Sequence, residues 1–163
     1  AYPLHMINWK AHYIGSHRNI DSSWLREIER ENFLWINPRD AQARGLKEGD
    51  RVMIKSATSQ VTGTVKVTER IRPGVVGSNY NYGHFAYGSM PVKIDGKPMA
   101  VDPVYGHVEW AQKPNSGYAG PRNAGFAANA VVRHDDSLNV GALFDPVGAG
   151  AAQLSTKVEV VKL

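Results

Sequence analysis

The stretch that decides the fold is Ile36-Asn-Pro-Arg-Asp-Ala-Gln-Ala-Arg-Gly-Leu-Lys-Glu-Gly-Asp-Arg-Val-Met-Ile-Lys-Ser56. Asn37 is a preferred helix cap, and Pro38 suits the first helical position because that position leaves its N–H unbonded in any case. Gly45 predicts the left-handed residue that ends such a helix. The alternation of residues over 51–56 then predicts a strand with one buried face. The stretch therefore predicts a short helix, a turn over 46–50 and then a strand.

Alternating and apolar runs on both sides of this stretch predict a mainly β domain with short helices. Residues 60–67 are expected to form a hairpin with 51–56. Arg72-Pro-Gly74 predicts a turn, since proline presets φ at the first central position and glycine accepts a positive φ at the second. A short surface helix is expected over 22–31, because its apolar residues share one helical face. In chain order, the predicted strands are 4–9, 33–36, 51–56, 60–67, 75–80, 130–133 and 156–163.

A long segment, about 81–129, interrupts this pattern with many Gly, Pro, Tyr and Asn residues and little periodicity. A connection of this length inside a compact domain is usually a functional excursion or a partly mobile segment. It could equally be a surface that packs on another domain. Its aromatic residues either form a binding face or pack the segment onto its own barrel or a neighbouring domain. These residues are Tyr80, Tyr82, Tyr87, Tyr105, Tyr118 and Trp110.

The composition excludes several classes of function. The 163 residues contain no cysteine, which rules out disulfides, thiolate catalysis and cysteine-ligated clusters within this chain. The formal charge of +4 comes from scattered basic residues, which favours anionic ligands but not nucleic acid. No apolar run approaches the roughly 20 residues of a membrane helix, so we expect no direct membrane insertion. His12 and His17 have no third ligand at a suitable spacing, so no metal site is expected.

Residues 36–56, followed by Gly63, Val67-Thr68 and Ile71-Arg-Pro-Gly-Val-Val76, resemble the C-terminal molybdopterin dinucleotide-binding domain of the dimethyl sulfoxide reductase family. The resemblance extends to the polar loop at 12–19 and to the end of the chain. There, Asp145-Pro-Val-Gly precedes Ser155-Thr-Lys-Val158, as in the thiosulfate, polysulfide, tetrathionate and arsenate reductase branch. The resemblance implies a six-stranded double-psi β-barrel, with residues 1–163 as a single domain and 81–129 as a long irregular insertion.

The resemblance also implies that three loops contact the cofactor. These are the loop after the first strand, the loop after Val76, and the loop before the last strand. The residues implied as cofactor contacts are His12, Tyr13, Ser16, His17, Arg18, Asn19, Asn81, His84, Asn139, Asp145, Gln153 and Lys157. Without the resemblance, the first loop is equally well interpreted as an ordinary polar turn.

The chemistry of the implied ligand is consistent with these residue types. A pyrophosphate-bridged dinucleotide carries negative charge at its middle and a purine at one end. It therefore needs backbone N–H groups, a basic side chain, and a carboxylate that accepts from guanine. The residues that can supply these groups are Gly148, Gly150, Arg18, Lys157 and Asp145. The two glycines lack the spacing of a nucleotide fingerprint and are interpreted by default as part of a flexible loop.

The resemblance implies that the chain binds the dinucleotide arm of a bis(molybdopterin guanine dinucleotide) cofactor. The whole enzyme would be a molybdenum or tungsten oxidoreductase, and the implied branch is that of sulfur-oxyanion or arsenate reductases. The metal ligand would come from another domain, so no residue here is expected to be catalytic and the chain alone should not turn over. The implied partners are an iron-sulfur electron-transfer subunit and the remaining domains of the same catalytic subunit. The resemblance favours the periplasm or cell envelope, and the cytoplasm stays open.

The alternative is a non-enzymatic double-psi barrel used for protein recognition, because one fold serves several functions. This alternative predicts no affinity for a dinucleotide and no dependence on Arg18 or Lys157.

Overall fold

The computed structural model describes residues 1–15, 23–83, 92–94, 97–99, 125–133 and 156–163. Its strands are β1 Leu4–Trp9, β2 Leu34–Ile36, β3 Arg51–Lys55, β4 Gln60–Val67, β5 Val75–Asn79, β6 Val92–Ile94, β7 Lys97–Met99 and β8 Thr156–Lys162. Its helices are α1 Ser23–Ile28, α2 Pro38–Ala43 and a 3₁₀ helix at Ala128–Val131. None of the helices in the described residues is long and apolar enough to cross a membrane.

Six strands close into a barrel in the order β1-β5-β2-β4-β3-β8. Within it, β1 pairs with β5 and β2 with β4 in parallel, whereas the other neighbours are antiparallel. The strands β6 and β7 form a separate antiparallel pair. A closed barrel leaves no unpaired strand edge. The predicted mainly β, six-stranded barrel is therefore confirmed, and its double-psi crossing stays a prediction.

The core of the barrel follows from alternation along the strands. Val52 and Ile54 of β3 are fully buried, as are Leu34 and Ile36 of β2. Because successive side chains of a strand point to opposite faces, the residues between them face outwards. In β8, Val158 is likewise buried, whereas its neighbours along the strand are exposed or half-buried. Inward-facing Val, Ile and Leu residues thus fill the barrel.

The helix α2 forms as its sequence predicts. The Asn37 side chain accepts from the backbone N–H of Arg39 at 3.0 Å and donates to the carbonyl of Ile71 at 2.7 Å. At the other end, Gly45 has φ 63° and the Leu46 N–H donates to the carbonyl of Ala41 at 2.9 Å. The bonds to the Arg39 N–H and to the Ala41 carbonyl satisfy backbone groups that the ends of a helix leave without partners. The predicted turn before β5 is also confirmed, with a bond from the Val75 N–H to the Arg72 carbonyl.

Two predicted elements differ from the structure. The strand expected at 130–133 is wrong, because the chain there forms the 3₁₀ helix Ala128–Val131. Ala128 and Val131 are both fully buried, and residues three apart lie on the same side of a 3₁₀ turn. The helix expected at 22–31 is shorter, spanning Ser23–Ile28, and leaves Trp24 80% and Ile28 64% exposed.

The chain divides into two compact units. The barrel unit comprises Ala1–Trp9, Asn32–Tyr80 and Ala128–Leu163, and the loop unit comprises Lys10–Glu31 and Asn81–Ala127. The assignment of residues 1–163 to one domain with an excursion at 81–129 stays a prediction.

Candidate functional site

The loop unit brings together two of the three loops predicted to contact the cofactor. Asn81, in the loop after β5, is fully buried. Its side-chain oxygen lies 3.4 Å from the backbone N–H of Ala11, from which it accepts a hydrogen bond. Ala11 directly precedes the first predicted loop, although it lies 70 residues from Asn81 along the chain. The structure therefore joins the starts of these two loops.

A tight turn presents His12 to solvent. The Ile14 N–H donates to the carbonyl of Ala11 at 3.4 Å, which closes a turn over residues 11–14. Ala11 and Ile14 are buried and pack with Tyr82 in a small apolar cluster. His12 lies between these anchors and is exposed. The cluster therefore fixes the backbone on which the imidazole of His12 is displayed.

The hydroxyls of Tyr13 and Tyr82 both bond to Glu29. Tyr13 donates to the Glu29 carboxylate, and Tyr82 donates to the Glu29 backbone carbonyl at 2.7 Å. Burial, together with the hydrogen bond to the Glu29 carboxylate, raises the pKa of Tyr13 well above its usual value. The Tyr13 hydroxyl is therefore neutral and engaged within the protein, so we interpret Tyr13 as a residue that positions the loop.

Nothing in the sequence pattern predicts the hydrogen bond between Tyr82 and Glu29. Tyr82 is among the aromatic residues expected either to form a binding face or to pack the long segment. Its burial supports packing, and its hydroxyl bonds to a carbonyl 53 residues away. No motif or spacing links the two positions. The only available signal is that buried tyrosine usually needs a hydrogen-bond partner.

Gly83 lies where two backbone segments nearly touch. Its φ is 73°, and a Cβ at this position would lie 2.0 Å from the backbone N of Ala127 and 2.1 Å from the carbonyl C of Phe126. A contact this short cannot be relieved by rotating a side chain, because both neighbours are backbone atoms. Residue 83 must therefore be glycine for residues 81–83 to approach residues 126–127 in this way.

The barrel unit contains the fourth described residue predicted as a contact, Lys157. It is exposed on β8 opposite His5. Lys157 borders a cavity of about 270 Å³, whose polar and aromatic lining consists of Tyr2, Ser56, Thr58, Arg133, Thr156 and Lys157. Apart from Lys157, the residues of this cavity are not indicated by the sequence. They come from four separate segments, which no local pattern connects.

The remaining predicted contacts lie outside the described residues. They are Ser16, His17, Arg18, Asn19, His84, Asn139, Asp145 and Gln153. Gly148 and Gly150 lie outside them too.

Two of the described predicted contacts carry exposed side-chain donors. His12 offers an exposed imidazole in the loop unit, and Lys157 offers an exposed ammonium group in the barrel unit. Such groups bind phosphate oxygens through charge-assisted hydrogen bonds. Within the described residues, no group of three or more His, Asp or Glu side chains is arranged to hold a metal ion.

The closed barrel and its donor-bearing loops define a β-barrel domain suited to an anionic cofactor. The chain belongs to the family described as "Molydopterin dinucleotide binding domain", whose model matches residues 4–142. This match confirms the family inferred from the sequence. It also favours the cofactor-binding prediction over the alternative of a protein-recognition barrel.

Among similar proteins, a selenate reductase subunit of Mesobacillus selenatarsenatis is 28% identical over 98% of this chain and 15% of its own length. The arsenate respiratory reductase molybdopterin-containing subunit of Chrysiogenes arsenatis is 30% identical over 81% of this chain and 16% of its own length. The chain thus spans about a sixth of these relatives. In fold, it resembles acetylene hydratase from Pelobacter acetylenicus, with a TM-score of 0.62 and 15% identity over 99% of this chain and 18% of that one.

Proposed function

We propose that this chain holds the dinucleotide arm of a bis(molybdopterin guanine dinucleotide) cofactor, as one domain of a molybdenum or tungsten oxidoreductase. The observation that best supports the proposal is the hydrogen bond between Asn81 and Ala11. It ties the loop after β5 to the start of the first loop, beside the exposed His12. Function is commonly carried by loops that a rigid scaffold positions, and the barrel is such a scaffold.

Within the loop unit, the described residues take different roles. His12 contacts the cofactor directly, because it is exposed on an anchored turn. Asn81 and Tyr13 position that turn, since their polar groups bond to Ala11 and Glu29 respectively. The other predicted contacts remain part of the proposal on the strength of the family resemblance alone.

The substrate of the whole enzyme is proposed to be an oxyanion. The relatives that share most of this chain are named as selenate and arsenate reductases, and a shorter match is a tetrathionate reductase of Salmonella typhimurium, 31% identical over 63% of this chain. The cofactor's metal supplies the redox chemistry, and the residues of this chain bind and orient the cofactor's organic arm. The first partners are the remaining domains of the catalytic subunit, and a further partner is an iron-sulfur subunit.

The proposal is tested by titrating the ¹⁵N-labelled chain with GDP, which carries the guanine and the two phosphates of the cofactor arm. Saturable amide shifts are expected at residues 11–14 and 81–83. His12→Ala should weaken binding about fivefold or more, which corresponds to the loss of one charge-assisted hydrogen bond. His5→Ala is the matched control, since His5 is also exposed but lies within β1 of the barrel unit.

Two results would count against the proposal. The first is the absence of any saturable shift at 11–14 and 81–83 with millimolar GDP. The second is an equal loss of affinity in His12→Ala and His5→Ala, because that would mean that the first loop carries no specific contact. Amide spectra of the free variants identify any variant that is misfolded.

A further inference from the structure

The cavity of the barrel unit has walls that are fixed by hydrogen bonds. One wall is the turn after β3, where the Ser56 hydroxyl accepts from the N–H groups of Thr58 at 3.1 Å and Ser59 at 3.2 Å. Another wall is the start of β8, where the Thr156 hydroxyl accepts from the N–H of Arg133 at 3.0 Å. Ser56 and Thr156 are both buried. The turn, the segment at residue 133 and β8 are thus held in place around the cavity.

The cavity gathers positive charge at its rim. Lys157 faces outwards because its neighbour Val158 points into the barrel. Arg133 also lies at the rim, just after the 3₁₀ helix, and is exposed. None of the described lining residues is acidic. On the same strand β8, the Glu159 carboxylate lies 2.9 Å from the guanidinium of Arg44, so its charge is compensated away from the cavity.

The size of the cavity limits its ligand. Pockets for drug-sized ligands occupy about 300 to 1,000 Å³. The volume here, about 270 Å³, lies just below that range. A water molecule takes up about 30 Å³ of the liquid, so the cavity has room for a phosphate or pyrophosphate group but not for a whole dinucleotide.

We propose that this cavity binds a phosphate group between Arg133 and Lys157, with the Thr58 hydroxyl as a further donor. An arginine can bind two phosphate oxygens at once, and a lysine adds a point charge. The phosphate comes either from a free phosphate compound or from the pyrophosphate of the dinucleotide cofactor. With a free phosphate compound the proposal goes beyond the proposed function, whereas with the cofactor's pyrophosphate it deepens that function and rests on it.

The test follows the amide shifts of the ¹⁵N-labelled chain with inorganic phosphate, inorganic pyrophosphate, GDP and guanosine, at constant ionic strength. Pyrophosphate is expected to shift the amides of Thr58, Arg133, Thr156 and Lys157 saturably. Arg133→Gln and Lys157→Gln should each weaken this binding about fivefold or more, as expected for the loss of a charge-assisted contact. Arg133→Lys, which keeps the charge, should retain part of the affinity.

Lys47→Gln is the matched control. Lys47 is also an exposed lysine, but it precedes β3, whereas the cavity lies beyond the end of that strand. The control removes the same charge and should change the affinity less than about twofold, as expected for a distant charge screened by solvent.

The ligands that shift the cavity amides identify the source of the phosphate. Saturation by inorganic phosphate as well as pyrophosphate identifies a free phosphate compound, whereas saturation by pyrophosphate and GDP but not by inorganic phosphate identifies the pyrophosphate of the cofactor arm. The proposal is overturned if pyrophosphate does not shift the cavity amides saturably, if guanosine shifts them as strongly as pyrophosphate, or if Lys47→Gln weakens binding as much as Arg133→Gln. A failure of the proposed function appears separately, as an absence of GDP shifts at residues 11–14 and 81–83.

Discussion

Different kinds of contact stabilise the barrel unit and the loop unit. In the barrel unit, six strands bond to their neighbours through backbone ladders, and buried Val, Ile and Leu residues fill the space between them. In the loop unit, the described contacts between distant segments include a cluster of Ala11, Ile14 and Tyr82 and the side-chain hydrogen bonds of Asn81 and Tyr82. The described barrel contacts repeat along neighbouring strands, whereas these loop-unit contacts are single side-chain contacts. A substitution in the loop unit should therefore have a large effect where it disturbs one of these contacts or the backbone approach at Gly83.

The largest effect is expected from Gly83→Ala. The new Cβ would overlap backbone atoms of Phe126 and Ala127, and the positive φ adds about 1 to 2 kcal/mol for any residue with a Cβ. We expect a loss of roughly 3 kcal/mol or more in local stability, at the upper end of typical single substitutions. Hydrogen exchange of the amides at 11–14 and 81–83 measures this loss.

Gly45→Ala in the barrel unit is the control for Gly83→Ala. Gly45 has a similar φ of 63°, but a Cβ there would meet nothing within 4 Å. Its cost should be only the conformational cost, about 1 to 2 kcal/mol. Equal losses at the two glycines would show that the close approach at Gly83 does not exist.

The next effect is expected from Asn37→Ala in the barrel unit. The substitution removes the cap of α2 and leaves the carbonyl of Ile71 without the amide that donates to it. We expect the free energy of unfolding to fall by about 2 kcal/mol, measured by urea denaturation. Asn129→Ala is the control, since Asn129 is exposed, and should change stability by less than about 0.5 kcal/mol. Similar values for the two variants would contradict the capping role.

A smaller effect is expected from Tyr82→Phe. It removes the hydroxyl that donates to the Glu29 carbonyl and keeps the ring in its cluster. The expected loss is about 1 kcal/mol. It should be confined to the loop unit, so hydrogen exchange should quicken at residues 11–14 and stay unchanged in β3 and β4. Faster exchange in the barrel strands as well would mean that the two units do not respond separately.

The smallest effect concerns the ionisation of Tyr13 at high pH. Burial and the bond to Glu29 raise its pKa in the folded state above the usual value of 10.0, so folding favours the protonated hydroxyl. The stabilisation is fully present below pH 10 and is lost as the pH rises from there towards the folded-state pKa. The difference in unfolding free energy between the chain and Tyr13→Phe should therefore be constant from about pH 7 to 9 and shrink above about pH 10. A difference that grows above pH 10 would contradict the hydrogen bond.

The contrast between the units also explains what can be predicted from the sequence. The cap that Asn37 forms with Arg39 and the positive φ of Gly45 and Gly74 depend on neighbouring residues, so they can be inferred from local chemistry. The bond from Asn37 to Ile71 joins residues 34 apart and cannot be inferred in this way. The alternation in β3 and β4 likewise reveals one buried face. The error at 130–133 arises because a short run of Ala and Val residues is compatible with either a strand or a helical turn.

The candidate site is less predictable because its geometry depends on distant contacts. The family resemblance predicts His12 and Asn81 as contacts. The structure adds that Asn81 bonds to Ala11, the residue next to His12. The bonds of Tyr13 and Tyr82 to Glu29 and the backbone approach at Gly83 join segments that no periodicity relates. Arg133 falls in a predicted strand, and nothing in the sequence links it to Lys157. Contacts of this kind are determined only when the whole chain folds.

The central claim, that the chain binds the dinucleotide arm of the cofactor, is tested most directly with metal-free molybdopterin guanine dinucleotide. This molecule is fluorescent when its pterin is oxidised, so the anisotropy of the oxidised form rises when it joins a slowly tumbling protein. We predict a saturable rise on addition of the chain, reversed by excess GDP and weakened in His12→Ala but not in His5→Ala. An anisotropy that stays flat at protein concentrations up to the millimolar range would contradict the account.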